Sequence, residues 1–408
     1  MKVTGIIAEY NPFHRGHQYH LAQAVRKTGA DAVIVVMSGN FVQRGTGAVA
    51  DKYTRAQAAL LCGADLVLEL PVLYSAASAE YFAGGAIALL ESTGVVENVA
   101  FGSESSNTDM LLELAKLLAD EPEDYKLALK KHLQAGNSFP KARELALQNC
   151  IFCPDTTLLS QPNNILALEY CKQLYRRKSS IQPVFIRREG GAYHQAQQDE
   201  LFSSATRIRT QLSEHLSVDA VAAQLPKQTL PLLKNAYQKT FPVFDEDFSA
   251  YVHFALLRVP GHDYTPYLDV NEELSNRIRS SLYDYTCFHA FVQKLKTKEL
   301  TYSRICRCLL HIMLDMRKDM YETALKQTLI PYIRILGMGE KGSILLRHMR
   351  AKTSLDFVTN ASGAAKLTGT ASSMFALDCH AADVWNGIAA DKFHHPLPNE
   401  FQRKFLKV

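Results

Sequence analysis

The first half of this chain alternates short apolar runs with helical patterns, and this alternation constrains the fold more than any other feature. The apolar runs cover residues 3–9, 32–38, 66–70, 98–101 and 183–187. Helical patterns lie between them at residues 16–27, 52–62 and 76–90. Continuous apolar strands joined by helices are typical of a parallel sheet that is covered on both faces. We therefore predict an α/β fold with a parallel sheet for residues 1–220.

The second half has a different organisation. From about residue 221 the pattern becomes mostly helical, and Pro226, Pro231 and Pro242 mark the change. An apolar run at residues 332–336 precedes a glycine-rich turn and a helical pattern, which predicts one further strand and helix. We predict a helical region over residues 221–330 and a small α/β subdomain over residues 331–408.

Positive charge is concentrated in this second half. Between Arg277 and Lys352 there are fifteen Lys or Arg residues and six Asp or Glu residues, whereas the whole chain has a net charge of +4. A basic helical surface suits a nucleic acid, because neutralising phosphates dominates nucleic-acid affinity. The alternative interpretation is an ordinary solvated helical face.

The composition favours a soluble protein of the cytoplasm. Of the 408 residues 47% are hydrophobic, which is enough for a large core. No apolar run approaches the ~20 residues of a membrane-spanning helix. The segment from Met1 to Thr4 leads directly into the first apolar run and lacks signal-peptide features. We therefore expect no membrane association.

The eight cysteines are expected to be mostly free thiols, since a reducing compartment disfavours disulfides. Cys150 and Cys153 form a C-x-x-C pair, but no second pair lies at the spacing of a zinc finger. Cys306 and Cys308 are far away in a basic helical pattern. We predict no metal site at these residues.

Two histidines follow the first apolar run, in the sequence His14-Arg15-Gly16-His17. They are three positions apart across a glycine and lie where a helical pattern begins. Both side chains are therefore predicted to point the same way as the backbone N–H groups of a helix start, which attract phosphate. This convergence of positive charge suits chemistry on a phosphoanhydride. The alternative is a pair of ordinary loop and first-turn residues.

A second motif, here called the hydroxyl–arginine motif, covers residues 203–209 and reads Ser-Ser-Ala-Thr-Arg-Ile-Arg. Hydroxyls donate to phosphate oxygens, the arginine fork suits a leaving pyrophosphate, and a helix that starts here adds its dipole. The alternative is a helix N-cap followed by a solvated basic face. The two motifs together predict a nucleotide site.

Several further segments occur in order along the chain with these two motifs. They are Glu9-Tyr10-Asn11-Pro12-Phe13, Ser38-Gly39-Asn40-Phe41-x-Gln43-Arg44-Gly45, Asp51-Lys52-x-x-Arg55, Phe101-Gly102-Ser103-Glu104 and Gln161-Pro162-Asn163-Asn164-Ile165-Leu166. Together the motifs resemble the bacterial tRNA(Met) cytidine acetate ligase family, within the nucleotidylyltransferase superfamily that carries His-x-Gly-His. The resemblance is dense in the first half and rests on length and helical character in the second.

The resemblance implies a Rossmann-like nucleotidylyltransferase domain that binds ATP over residues 1–220 and a tRNA-binding region over residues 221–330. It implies an enzyme that activates acetate with ATP as acetyl-adenylate. The acetyl group then passes to N4 of the wobble cytidine of elongator tRNA(Met), which gives N4-acetylcytidine, AMP and pyrophosphate. Magnesium is expected with ATP, and Glu9, Asp51 and Glu104 are its unranked candidate ligands.

The resemblance also implies site residues. Catalytic roles fall to His14, His17 and Arg207. Contacts to ATP fall to Ile7, Ala8, Glu9, Tyr10, Asn11, Pro12, Phe13, His14, Gly16, His17, His20, Gly102, Asn163, Arg188, Ser203, Ser204 and Thr206. Arg187 is an equal alternative to Arg188, and the pair Asn163-Asn164 is also typical of a turn or helix cap.

Two other functions stay open at this point. One is a nucleotidylyltransferase that acts on a phosphorylated small molecule, which leaves the basic half without a role. The other is a non-catalytic tRNA-binding protein, against which the intact histidines and Arg207 argue.

Two segments have alternative interpretations. The helix that starts at Asp51 either presents Lys52 and Arg55 on a solvated face or contacts RNA or phosphate with them. The turn from Gly337 to Gly342 has the glycine spacing of a dinucleotide-binding motif. Too few residues follow it for an NAD site, so we predict a plain strand–turn–helix element.

Overall fold

Strand β1 (Val3–Ala8) lies inside an eight-stranded sheet of the described chain and carries the two-histidine segment at its carboxyl end. The computed structural model describes residues 1–105, 107–137, 139–150, 161–187 and 203–408. The other strands are β2 (Ala32–Ser38), β3 (Phe41–Val42), β4 (Thr46–Gly47), β5 (Leu66–Leu70), β6 (Val96–Ser103), β7 (Gln182–Arg187), β8 (Tyr332–Met338), β9 (Asp356–Val358) and β10 (Leu406–Lys407).

Helices make up most of the remaining described chain. They are α1 (Arg15–Thr28), α2 (Lys52–Leu61), α3 (Val72–Ser75), α4 (Ala79–Ser92), α5 (Thr108–Asp120), α6 (Glu123–Gln134), α7 (Phe139–Cys150), α8 (Pro162–Arg176), α9 (Ala205–His215), α10 (Leu230–Ala236), α11 (Ser249–Arg258), α12 (Glu272–Ser281), α13 (Phe288–Leu295), α14 (Tyr302–Met313), α15 (Lys318–Lys326), α16 (Gly342–Arg350) and α17 (Gly369–Phe393). No helix within the described ranges is long and apolar enough to cross a membrane.

The parallel part of the sheet has the strand order β5-β2-β1-β6-β7. These strands run the same way, so their carboxyl ends meet at one edge, which is where ligands bind in open α/β sheets. Strands β2 and β5 have the bounds that the sequence predicts, residues 32–38 and 66–70. The predicted α/β fold with a parallel sheet is confirmed.

Helices cover both faces of this sheet. In β2, Ile34 and Val36 join the core that contains side chains of α4 and α8. Val33 and Val35 join the core on the other face, with side chains of α1 and α2. Successive residues of a strand point to opposite faces, and here both faces are buried. This is why the strand reads as a continuous apolar run.

Strand β8 extends the same sheet, because it pairs antiparallel with β5. Strands β9 and β10 both pair parallel with β8. The strand–turn–helix element predicted for the subdomain at residues 331–408 therefore has no sheet of its own. The direction of β8 puts its glycine-rich turn at the edge away from the carboxyl ends of the parallel strands. There the Gly339 N–H donates to the carbonyl of Asp65, and a Cβ at Gly342 would lie 2.3 Å from Met338 Cβ.

Helices of the second half of the chain pack against the sheet domain through buried polar contacts. His311, in α14, is fully buried, with Nδ1 2.8 Å from the carbonyl oxygen of Leu268 and Nε2 2.9 Å from that of Ala76, which follows α3. The Trp385 indole N–H of α17 donates to the carbonyl of Ala48 over 2.9 Å. The division of the chain at residues 220 and 330 stays a prediction.

Candidate active site

The turn after β1 orients both histidines. His14 is the N-cap of α1, and its Nδ1 accepts a hydrogen bond from the backbone N–H of Gly16 over 3.0 Å. The Nδ1 of His17 accepts from the backbone N–H of His14 over 3.3 Å, and the two ring centroids are 3.7 Å apart. Because each Nδ1 accepts a hydrogen bond, each neutral ring carries its proton on Nε2. Nε2–H is therefore the donating group of both rings.

Side chains of the core support this loop, here called the histidine loop (residues 9–17). The Tyr10 ring is buried, and its centroid lies 4.7 Å from that of Phe13 and 4.9 Å from that of His17. Burial raises the pKa of the Tyr10 hydroxyl, so the phenol stays neutral. The side chains of Ile7 and Phe13 are also buried in the core. At these three predicted positions the side chains are therefore packed into the core.

The hairpin formed by β3 and β4 holds the histidine loop from the other side. The Asn11 side-chain oxygen accepts from the backbone N–H of Val49 over 2.8 Å. The Glu9 carboxylate accepts from the backbone N–H of Gln43 over 2.9 Å. These two predicted contacts to ATP thus also fix the position of the hairpin against the loop.

Arg55 joins the carboxyl ends of β1 and β2. Its side chain is 1% exposed, and its Nη1 donates to the carbonyls of Glu9 and Ser38 over 2.7 and 3.1 Å. Its Nη2 donates to the carbonyl of Gly39. Burial lowers the pKa of Arg55 to about 10, and Asp51 is the leading opposing influence. Both interpretations from sequence, a solvated face and a contact to RNA or phosphate, are wrong for Arg55 because its guanidinium is committed to backbone carbonyls.

Lys52, also 1% exposed, belongs to a buried ion cluster. Its Nζ lies 2.8 Å from Glu69 Oε1 and 3.0 Å from Glu400 Oε2. The Nη2 of Arg334 lies 3.2 Å from the same oxygen of Glu400. Two cations thus balance two carboxylates, as burial of charge requires. A Cβ at Gly39 would lie 2.6 Å from Glu69 Oε1, so the cluster packs directly against the turn after β2.

At the carboxyl end of β6, Glu104 orients the start of α8. One carboxylate oxygen accepts from the backbone N–H of Asn164 over 2.9 Å, and the other accepts from the backbone and side-chain N–H groups of Asn163. The Asn164 side-chain oxygen accepts from the hydroxyl of Ser103 over 3.0 Å. These bonds place Asn163 beside the end of β6, which also contains Gly102. Two of the predicted ATP contacts are thereby brought to one edge of the sheet.

The hydroxyl–arginine motif meets the histidine loop through Arg209. Ser204 is the N-cap of α9, and its hydroxyl accepts from the backbone N–H of Arg207 over 3.2 Å. The Arg207 side chain is exposed. Arg209 donates from Nη1 to the carbonyl of Asn11 over 2.8 Å, and its Nη2 lies 3.3 Å from Thr206 Oγ1.

Arg209 is a candidate site residue to which the sequence analysis gave no role. The signal was present, because residues three apart on a helix share a face and residues one apart do not. Thr206 and Arg209 have the former spacing, and Thr206 and Arg207 have the latter. Arg44 also went unassigned, although its Nη1 lies 3.4 Å from Thr206 Oγ1.

The candidate magnesium ligands Glu9, Asp51 and Glu104 each accept hydrogen bonds from backbone N–H groups already. Asp51 in particular is the N-cap of α2. Across the described ranges, no group of three or more His, Cys, Asp or Glu side chains is arranged to hold a metal ion. These residues do not fit a resident magnesium site.

Some predicted positions lie outside the described residues. Arg188 is one of them, and its alternative Arg187 ends β7 with an exposed side chain. Cys153 and the side chain of Cys150 also lie outside. The six cysteines that the structure does describe are free thiols.

The fold and the site define a class of protein. A parallel sheet whose strand β1 leads into two histidines at a helix start is the arrangement of a nucleotidyl transferase. The family model described as HIGH Nucleotidyl Transferase matches residues 1–397.

Similar proteins identify one family within this class of nucleotidyl transferases. The tRNA(Met) cytidine acetate ligase of Clostridium kluyveri is 41% identical over 388 residues, which are 93% of each chain. That of Clostridium tetani is 38% identical and covers 100% of both chains. The crystal structure of Thermotoga maritima TmcAL bound with α-thio ATP has a TM-score of 0.91 and 33% identity, over 100% of both chains. This chain belongs to the tRNA(Met) cytidine acetate ligase family.

Proposed function

We propose that this chain activates acetate with ATP and transfers the acetyl group to N4 of the wobble cytidine of elongator tRNA(Met). In the first step an acetate oxygen attacks the α-phosphate, which gives acetyl-adenylate and releases pyrophosphate. In the second step the cytidine amine attacks the acetyl carbonyl, AMP leaves, and the amine loses a proton. The products are N4-acetylcytidine, AMP and pyrophosphate. Family membership supports this reaction.

The paired geometry of His14 and His17 is the observation that carries the proposal. Attack on the α-phosphate builds negative charge on its oxygens, and donors fixed in place before the reaction stabilise that charge. Both rings are fixed through Nδ1 and donate through Nε2. The histidines therefore act as electrostatic stabilisers and not as proton carriers.

The hydroxyl–arginine motif is proposed to hold the leaving pyrophosphate. The hydroxyls of Ser203, Ser204 and Thr206 donate to its oxygens, and a guanidinium binds it in a forked geometry. The sequence resemblance implies that Arg207 supplies this guanidinium. The hydrogen bond from Arg209 to the histidine loop favours Arg209 for the same role.

Three parts of the proposal are not shown by family membership alone. Acetate is the acyl donor, as the family name implies. Magnesium belongs to the substrate as MgATP, since the described carboxylates do not form a site for it, and no step is assigned to the ion. The proposed compartment is the cytoplasm, where charged elongator tRNA is used.

The basic helical region is proposed to bind the tRNA. Lys296 and Lys298 follow α13 and are exposed, and so is Arg279 in α12. Not all of the fifteen basic residues between Arg277 and Lys352 are exposed. Arg334, for example, is buried in the ion cluster. The exposed members supply phosphate contacts, which set affinity and its salt dependence.

One reaction tests the proposed function. Purified protein is incubated with ATP, magnesium, labelled acetate and unmodified elongator tRNA(Met), without acetyl-CoA, beside His17→Ala. We expect label in the RNA that depends on ATP and is lost in the variant. Folded wild-type protein that incorporates no label contradicts the ligase. Pyrophosphate release that instead depends on a phosphorylated metabolite identifies a small-molecule nucleotidylyltransferase.

A further inference from the structure

Two guanidinium groups converge on one hydroxyl at the mouth of the site. Arg44 Nη1 lies 3.4 Å and Arg209 Nη2 lies 3.3 Å from Thr206 Oγ1. In the described part of the chain, neither arginine forms an ion pair with a carboxylate. Like charges held this close oppose each other, and the carboxylates of Glu9 and Asp245 favour the charge of Arg209 without forming an ion pair with it, so the arrangement leaves a place for a further negative partner.

The surrounding structure fixes the backbone turn that carries Arg44. Arg44 lies in the turn between β3 and β4, where the backbone N–H of Gly45 donates to the carbonyl of Val42 over 2.9 Å. Gly45 has a φ of 80°, and a Cβ there would lie 2.3 Å from the backbone nitrogen of Arg307 in α14. The turn is therefore seated against α14. The hydrogen bond from Gln43 to Glu9 fixes its other side to the histidine loop.

The missing partner is an anion on the side of the histidine loop. Arg209 contacts the carbonyl of Asn11, inside that loop, so the two guanidiniums border the place where the phosphates of ATP must lie. Burial lowers the pKa of Arg209, and the charge of Arg44 lowers it further. Because Thr206 Oγ1 receives both guanidiniums, its own hydrogen is available to donate to a phosphate oxygen.

We infer that Arg44 binds the β- and γ-phosphates of ATP, and the pyrophosphate they become, together with Arg209 and Thr206. This inference rests on the proposed function for the identity of the nucleotide. It gives a role to the Ser38–Gly45 segment, which the sequence resemblance contains without explaining. The contact breaks when pyrophosphate leaves, so Arg44 takes part in acetate activation and not in acetyl transfer to RNA.

The test separates these two steps in Arg44→Gln. Acetate-dependent exchange of labelled pyrophosphate into ATP, without tRNA, measures activation, and we expect it to fall by about 10- to 100-fold in kcat/KM. Acetyl transfer to tRNA from supplied acetyl-adenylate measures the second step, and we expect it to match wild type. Arg26→Gln is the control, since Arg26 is exposed in the last turn of α1, at the opposite end of that helix from the histidines. It removes the same charge and is expected to change neither step.

Binding measurements make the inference independent of acetate chemistry. We expect Arg44→Gln to weaken ATP binding by about 10-fold or more. AMP binding is expected to stay unchanged, because AMP lacks the β- and γ-phosphates. If wild-type protein shows no exchange but this difference persists, the ligase proposal fails and the role of Arg44 stands. If exchange is normal and only transfer from acetyl-adenylate falls, Arg44 contacts RNA and the inference is overturned. Equal losses in both steps, or a lower melting temperature, overturn it as well.

Discussion

Arg209 donates a hydrogen bond to the backbone carbonyl of Asn11 over 2.8 Å and thereby joins the start of α9 to the loop that carries both histidines. About two hundred residues separate the two motifs in sequence. The contact converts two separate phosphate-binding patterns into one site.

This contact predicts that Arg209 contributes more than Arg207 to acetate activation. We expect Arg209→Ala to lower acetate-dependent pyrophosphate exchange by about 10²- to 10³-fold, because a donor to developing charge is lost. Arg207→Ala, one helical position from Thr206, is expected to lose less than about 10-fold, since its side chain is exposed. A larger loss in the Arg207 variant would restore the assignment made from the motif.

Two substitutions at His17 distinguish the roles of its two ring nitrogens. His17→Asn keeps an acceptor near Nδ1 for the N–H of His14 but has no donor at the Nε2 position. We expect it to keep the wild-type melting temperature and lose about 10²- to 10³-fold in exchange. His17→Gln has a donor near Nε2 but no acceptor at Nδ1. It is expected to retain more exchange and to lose about 1 kcal/mol of stability from the helix cap. Equal losses of exchange would contradict a role for Nε2.

The ion cluster predicts a large stability effect for Lys52→Met. Burial opposes the charged form, but Glu69 and Glu400 outweigh it and raise the pKa of Lys52, so its charge is present in the folded protein. Removing it leaves buried carboxylates short of a partner, and we expect unfolding free energy to fall by about 3–5 kcal/mol in urea denaturation. Lys366→Met, in the exposed pair with Asp356, is expected to cost less than about 1 kcal/mol. Similar costs at both sites would show that the cluster is not compensated as described.

Asp378 predicts a pH dependence of stability. Burial, and next the charge of Glu69, raise its pKa from 3.8 to about 7. The folded state therefore binds this proton more tightly than the unfolded state, so the contribution to stability is full below pH 3.8 and is lost as pH rises through about 7.

Asp378→Asn imitates the protonated side chain, which accepts from the Val72 backbone N–H over 2.7 Å and lies against the Tyr332 hydroxyl. We expect the variant to match wild type near pH 3.5 in thermal unfolding and to exceed it by about 4 kcal/mol at pH 8. Asp391→Asn, exposed on the same helix, is the control and is expected to show no such change. A variant that tracks wild type across this range would place the Asp378 pKa near its ordinary value.

The basic region predicts a salt-dependent RNA phenotype. We expect Lys296→Ala with Lys298→Ala to weaken tRNA binding and to reduce the slope of log affinity against log salt by about 1 to 2. Pyrophosphate exchange without tRNA is expected to stay at the wild-type level. Lys130→Ala with Lys131→Ala removes the same charge from the exposed face of α6 and is the control. An unchanged salt slope in the first pair would place the tRNA elsewhere.

The sequence predicted the elements whose signal is local. Strands β2 and β5 are buried on both faces, so their bounds follow from unbroken apolar runs. The helix expected at residues 76–90 is α4 (Ala79–Ser92), which begins three residues later, and a separate short helix, α3, precedes it. Ser78, the N-cap of α4, is a local signal for the later start, whereas the packing of His311 against the Ala76 carbonyl became visible only in three dimensions.

What the sequence did not predict depends on distant partners. Lys52 and Arg55 have the pattern of an exposed helix face, and their burial requires Glu400 and the carbonyls of β1 and β2. The pairing of β8 with β5 also leaves no local signal, because an apolar strand does not specify its neighbour. The histidine loop was predictable from spacing, whereas the place of Arg44 in the site depended on how its hairpin packs.

The ion cluster also sets an order for the synthesis of the protein. Lys52 and Glu69 leave the ribosome well before Arg334 and Glu400, which complete their charge balance. The turn at Gly39 packs against Glu69, so the floor of the nucleotide site gains its final support only after residue 400 has been synthesised. A nascent chain therefore carries the motifs for ATP long before it holds them in their working arrangement.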